Sequence, residues 1–173
     1  MTQSIRESVH HVSAPENLDA SLDEVFTLML GVACRRGDEP AEVEPETVTA
    51  VVGFGGLLSG ACVLRCGARP AQRVAGLLAG MELTELDDTV KDAMGEVCNM
   101  LAGAWKGWIP ELAANCSLSV PAVITGSDYK LRVQALEFQL KHNYRFEDVP
   151  MTVMIVCNGL RQRRRQETEA DES

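Results

Sequence analysis

Hydrophobic residues recur along this chain with two different periods, and the places where the period changes divide it into elements. From about Leu18 to Cys34, the residues Leu22, Val25, Phe26, Met29 and Leu30 fall on one side at helical spacing, which predicts an amphipathic helix. The stretch from Thr47 to Leu64 (TVTAVVGFGGLLSGACVL) carries no charge. Its valines cluster ahead of Gly53-Phe54-Gly55-Gly56, and it predicts two buried strands around a glycine turn. A second helix is expected from Pro70 to about Met81, with proline in its first turn and Val74, Leu77 and Leu78 inward. The third, from about Glu85 to Ile109, is the longest and aligns Val90, Met94, Val97, Leu101 and Trp105 on one face. The remainder reads as sheet: Ser117 to Thr125, interrupted by Pro121; Leu131 to Lys141; and Met151 to Cys157. In the middle of these, the alternation slips between Ala135 and Leu136, which suggests a bulge.

Between and around these elements the pattern fails. Residues 1–16 are polar and aperiodic and read as a flexible arm, and Arg35 to Glu46 as a loop rich in Glu and Pro. Residues 159–173 form a charged tail in which Arg161, Arg163, Arg164 and Arg165 precede an acidic end, the composition of a solvated, disordered terminus. One domain, residues 17–158, is left. Its runs of helices and strands predict an α+β layered fold with long helices packed on one face of a mainly antiparallel sheet. The order of helix, two strands and helix, then helix and two or three strands, hints at two halves built alike, although no sequence repeat accompanies it.

Composition limits the function. With 173 residues and 46% hydrophobic content, the chain can build one core without disulfides. A net charge of −9, from 25 acidic and 16 basic residues, argues against a nucleic-acid binder and for a protein partner. None of the six cysteines forms a C-x-x-C pair. Cys62 and Cys66 lie about two pleats apart on a strand, too far to share a zinc ion easily, so all six read as buried free thiols. His10, His11 and His142 sit near no cysteine or carboxylate cluster, so no metal of the protein's own is expected. The N-terminus shows no signal-peptide pattern, and the expected compartment is the reducing cytoplasm. Four glycines in the uncharged stretch favour a hairpin over a membrane-spanning helix. A dinucleotide-binding reading of the same glycines fails at Leu58, and strand-like residues follow where a helix would have to begin.

Chemistry concentrates on the third helix. At about 100° per residue, Asp92, Glu96 and Asn99 fall within a stripe about 60° wide, opposite the apolar face and therefore outward. Gly95, Ala102 and Gly103 flank the stripe and leave it without side-chain bulk, although each glycine destabilises a helix by about 1 kcal/mol. Taken alone, such a stripe is most often plain solvation, and helix glycines most often reflect packing against a neighbour.

The spacing beyond the helix adds a further constraint. Asp92, three residues, Glu96, two residues, Asn99, twenty-one residues and Pro121 resemble the motif of the CheC, CheX and FliY family of chemotaxis phosphatases. Gly-Glu-Val-Cys-Asn-Met-Leu-Ala-Gly at 95–103, Pro-Ala-Val-Ile-Thr-Gly at 121–126 and Gly-Gly-Leu-Leu-Ser-Gly at 55–60 are similar in kind and order to the CheX branch. The resemblance covers about residues 20–158. It implies a two-component signalling phosphatase that hydrolyses the aspartyl phosphate of a CheY-like response regulator, with the motif helix lying across the receiver's active site. On this resemblance Glu96 and Asn99 are catalytic: Glu96 pairs with the receiver's lysine and Asn99 positions the attacking water. Asp92, Gly95, Gly103 and Lys106 belong to the partner-binding surface, and Pro121 shapes the strand end beneath the helix. No cofactor of the chain's own is implied, Mg2+ is expected in the receiver, and a homodimer through sheet edges follows by analogy with the CheX branch. Glu24 of the first helix has Thr27 three residues on and Ala20 four before, with no matching proline, so the second site of the CheC branch is absent. The rival readings are a non-catalytic adaptor that binds a receiver and a structural relative of flagellar switch proteins. Intact Glu96 and Asn99 favour the phosphatase, since a pure binding module has no need of the amide.

Overall fold

The computed structural model describes residues 9–38 and 44–161, so the first part of the arm, the middle of the Glu- and Pro-rich loop and nearly all of the charged tail lie outside the described residues. Helix α1, Pro15–Val25, runs directly into a π-helical turn, Phe26–Leu30, which Gly31 closes in the left-handed conformation at φ 70°. Strand β1, Cys34–Gly37, follows, then β2, Glu46–Gly56, and β3, Leu58–Gly67. Helix α2 is Ala68–Ala79, α3 is Asp88–Gly107 and α4 is the single turn Pro110–Ala113. Four strands close the chain: β4, Cys116–Leu118; β5, Ala122–Ser127; β6, Phe138–Phe146; and β7, Val149–Leu160.

All seven strands form one antiparallel sheet in the order β1-β6-β7-β3-β2, and the outer edge of β2 is shared by β4 at Phe54–Gly56 and β5 at Glu46–Val51. With β5 taken as the edge, this order maps onto itself when β1 is exchanged with β5, β6 with β2 and β7 with β3. The topology therefore does have two similar halves meeting at the β3–β7 pair, led by α1 and α3 respectively. The helices lie on one face. Val48, Ala50 and Val52 of β2, Leu64 of β3 and Ile155 of β7 point toward them and, with α1 and α3, form the main core. The other face carries a small cluster of Val63, Met154 and Val156, roofed by Leu131, Val133 and Ala135.

Several boundaries differ from the sequence expectation, each for a physical reason. The helical pattern of 18–34 ends in the π turn, where Met29 is 54% exposed although spacing turns it inward, and Cys34 opens a strand in place of ending a helix. That four-residue strand occupies the start of the expected loop and is too short to show a period. Residues 131–135 belong to no strand, a bend follows at 136–137 where the Glu137 amide donates to the Cys157 carbonyl of β7 at 3.1 Å, and β6 begins only at Phe138. Their alternation is real but reports one-sided burial of Leu131, Val133 and Ala135 on the sheet. No bulge forms there; the irregular register lies at Ser59/Gly60, where β3 meets β7. Residues 9–12 of the expected arm are helical, and Val12 is buried against the core. The glycine hairpin is present. Its turn falls at Leu57, preceded by Gly56 at φ 113°, where an added Cβ would overlap the Asn115 carbonyl. All six cysteines are free and buried. Among the described residues, no helix is long and apolar enough to cross a membrane.

Candidate functional site

Helix α3 is fixed at its start by Asp87, whose carboxylate accepts a hydrogen bond from the Val90 amide at 3.1 Å, and an acidic first turn and a basic last turn suit the helix dipole. Its inward face, Val90, Met94, Val97, Leu101 and Trp105, is fully buried, and Trp105 packs on Phe54 with ring centroids 5.3 Å apart. Midway along, the Cys98 thiol donates toward the carbonyls of Ala50 and Cys62 at 3.5 and 3.6 Å, one on each of the two strands beneath. The residue after it is Asn99. The helix therefore cannot roll without breaking its own core, and the outward stripe is held at a fixed azimuth.

On that stripe Asp92 and Glu96 are exposed and Asn99 is half-buried. The side-chain hydrogen bonds of α3 involve Asp87, Asp88, Lys91, Cys98 and Lys106, and none engages Asp92, Glu96 or Asn99 among the described residues. At about 1.5 Å rise per residue the three span about 10 Å along one line. They are presented outward with their hydrogen-bonding capacity unspent.

The fourth motif residue arrives from the sheet. Pro121 stands immediately before β5, and a Cβ built on Gly95 would lie 3.2 Å from Pro121 Cβ and 3.4 Å from Val123 Cγ2. Gly95 is buried, so its small size seats β5 against α3 and does not flatten a partner surface as the sequence spacing suggests. Because Gly95 precedes Asn99 by one helical turn, Pro121 packs beside the stripe, which gives the long final spacing of the motif a structural meaning. Gly103 is partly exposed, and a Cβ there would make only ordinary contact, 3.9 Å, with Leu118. Ala102, read from sequence as another flank of the surface, is buried in the core. Lys106 donates its amine to the Ala113 carbonyl at 2.8 Å and so ties the end of α3 to α4.

One residue beside the motif carries no sequence signal. Val120 is 87% exposed, because β4 and β5 are separated by a loop in which the Ser119 hydroxyl accepts a hydrogen bond from the Gly53 amide at 2.8 Å. Read as one continuous strand from 117 to 125, the sequence gives no reason to expose it. On α1 and the π turn after it the polar residues are used internally: Glu24 accepts from Trp108 Nε1 at 3.2 Å, and the Thr27 hydroxyl donates to Asp23 at 3.4 Å. Among the described residues there is no group of three or more His, Cys, Asp or Glu that could hold a metal ion.

The family profile described as chemotaxis phosphatase CheX matches residues 48–141, more than half of the chain and the whole of α3 with Pro121. The chain belongs to the CheX family. A curated CheX-family relative, the CheY-P phosphatase CheX of Thermotoga maritima, is 28% identical over 120 residues, covering 66% of this chain and 77% of the relative. Among solved structures, the chemotaxis protein CheX of Desulfovibrio desulfuricans superposes with a TM-score of 0.69 at 21% identity, covering 82% of this chain and 97% of that one. The CheX of Borrelia burgdorferi, solved as a CheX-CheY-BeF3-Mg2+ complex, gives a TM-score of 0.66 at 20% identity, covering 84% and 98%. These CheX structures share the fold, with helices packed on a mainly antiparallel sheet.

Proposed function

We propose that this chain is a phosphatase that hydrolyses the aspartyl phosphate of a CheY-like receiver domain, with Asn99 positioning the attacking water and Glu96 pairing with the receiver's lysine. The observation that carries the reading is the presentation of Glu96 and Asn99, outward and without side-chain hydrogen bonds among the described residues, on a helix locked to the core and flanked by Pro121. The Thermotoga maritima relative named as a CheY-P phosphatase and the Borrelia burgdorferi CheX-CheY complex support both the activity and the class of partner.

An aspartyl phosphate is already activated toward hydrolysis, so the enzyme's task is to hold a water in line with phosphorus. An amide does this without a proton transfer of its own, since its oxygen accepts from the water while its NH2 donates to a phosphoryl oxygen. A carboxylate at position 99 would meet like-charge repulsion from the phosphoryl group in a partly desolvated interface. Glu96, one turn away and exposed, suits a cation on the partner and fixes the register of docking. Asp92 and Gly103 lie farther along the same surface and serve docking, and Mg2+ is supplied by the receiver. The same reading makes the chain a homodimer through its sheet edges, where β1 pairs only with β6 and β5 only with β2 among the described residues. Sedimentation at a mass of one chain would remove that part alone.

The test is phosphate loss from a panel of phosphorylated receiver domains of the source genome, followed with and without this chain. Acceleration for one or a few receivers establishes the phosphatase. Binding to a phosphorylated receiver with no acceleration makes the chain an adaptor.

A further inference from the structure

The sheet face turned away from the helices holds a cavity of about 590 Å³, within the size range of small-molecule sites. Arg65 of β3, Lys141 of β6 and Lys130 and Arg132 of the irregular segment after β5 all line it. Four cationic residues lining one cavity is an unusual use of charge in a chain whose net charge is −9. The ion pairs of the described residues lie elsewhere, at Arg36–Asp19, Arg69–Glu44, Arg73–Glu147, Lys91–Asp88 and His11–Glu111, and none involves these four. The one acid among the described residues lining the cavity, Glu44, is already engaged by the Arg69 guanidinium and backbone amide at 3.3 and 3.2 Å.

Like charges brought together without counter-charge repel, and the arrangement becomes favourable when an anion enters between them. Arg65 is held in place by Tyr129. Its guanidinium donates to the Tyr129 carbonyl at 3.3 Å and lies over the Tyr129 ring at 5.1 Å, while the Tyr129 hydroxyl is hydrogen-bonded to Thr49. Neutral donors line the same space. Asn143 accepts from the Thr152 hydroxyl at 2.9 Å through its oxygen, which leaves its NH2 to donate, and the Thr47 hydroxyl sits nearby on β2. Leu131, Val133 and Met154 supply an apolar wall able to take a ring or short hydrocarbon body.

We propose that this cavity binds a small phosphorylated compound of about nucleotide size, its phosphates held by Arg65, Lys130, Arg132 and Lys141. The site lies across the sheet from Glu96 and Asn99, so it goes beyond the phosphatase reading and does not depend on it.

Calorimetric titration of the full chain with ATP, pyrophosphate and citrate, without added divalent metal, tests the proposal. Saturable binding of ATP that weakens with salt and falls by about tenfold or more in Lys130→Ala/Arg132→Ala is the expected result. Both residues are exposed on an irregular segment, so that variant should fold; Arg65→Met, checked by thermal unfolding, gives a second reading. Asn99→Ala should bind ATP as the wild type does. Pyrophosphate binding that also depends on Lys130 and Arg132 supports recognition through the phosphates. Citrate binding as tight as ATP overturns the assignment to phosphorylated compounds. The site itself is overturned by no saturable binding of any probe, or by unchanged affinity in Lys130→Ala/Arg132→Ala.

Discussion

At the scale of single residues, the proposed function rests on a division between a charge assigned to docking and an amide assigned to orienting water. Glu96 is exposed and has no side-chain partner among the described residues, so its truncation leaves nothing buried and unsatisfied behind. Glu96→Ala should therefore leave stability within about 0.5 kcal/mol of wild type while raising the KM for a phosphorylated receiver by about tenfold. Steady-state kinetics at two salt concentrations check this, since losing a docking charge also flattens the salt dependence. Equal loss in kcat with KM unchanged would instead place Glu96 in the transition state alone. The motif residues were legible from sequence because helical spacing and the distance to Pro121 are both linear quantities. The role of Gly95 was not, because its neighbours Pro121 and Val123 are distant in the chain and only tertiary packing shows that the glycine is filled from within.

At the scale of elements, α3 is legible by its long 3.6-residue pattern, and what spacing cannot supply is how β5 leans on it. That contact makes a prediction. Gly95→Leu would force a branched side chain into the space held by Pro121 and Val123, and should destabilise the fold by about 1–3 kcal/mol as overpacking does. The same change should lower phosphatase activity more than the stability loss explains, because Pro121 and the Asn99 turn would separate. Urea unfolding and activity measured on the folded fraction check the two parts. Unchanged stability would mean that β5 does not seat on α3 at Gly95. The segment around Leu131, Val133 and Ala135 shows the opposite limit of sequence reading. Alternation there correctly reports burial on one side, yet it cannot report whether a neighbouring strand supplies backbone partners. Strand β1 is silent for a simpler reason, since four residues hold no period.

At the scale of the whole molecule, the self-mapping strand order sets two similar halves side by side, and their leading helices use their polar residues differently. The counterpart helix α1 spends Glu24 on Trp108 and Asp23 on Thr27 of the π turn that follows it, while Asp92, Glu96 and Asn99 of α3 have no side-chain hydrogen bond among the described residues. The core also sets a pH limit. Burial raises the Cys34 thiol to about 12 and the Cys157 thiol to about 11, and raises Cys66 further still. The unfolded chain releases these protons from about pH 8.5 upward while the folded chain retains them, so stability should be unaffected at neutral pH and fall as pH rises from there through the folded values. The urea midpoint, compared at pH 7 and pH 10, should be lower at the alkaline value; an unchanged midpoint would mean that the thiols are accessible in the native state.

The proposed chemistry comes down to Asn99, whose amide is asked to orient water and whose loss should not disturb a helix anchored by Val97, Cys98 and Leu101. Its test is one comparison on one cognate receiver: dephosphorylation rate and binding affinity, each measured for wild type and Asn99→Ala. We predict a fall in rate of about a hundredfold or more, with affinity within about threefold of wild type. A rate that survives in Asn99→Ala would contradict the assignment of the amide, and a rate lost only in proportion to affinity would reduce Asn99 to a docking residue.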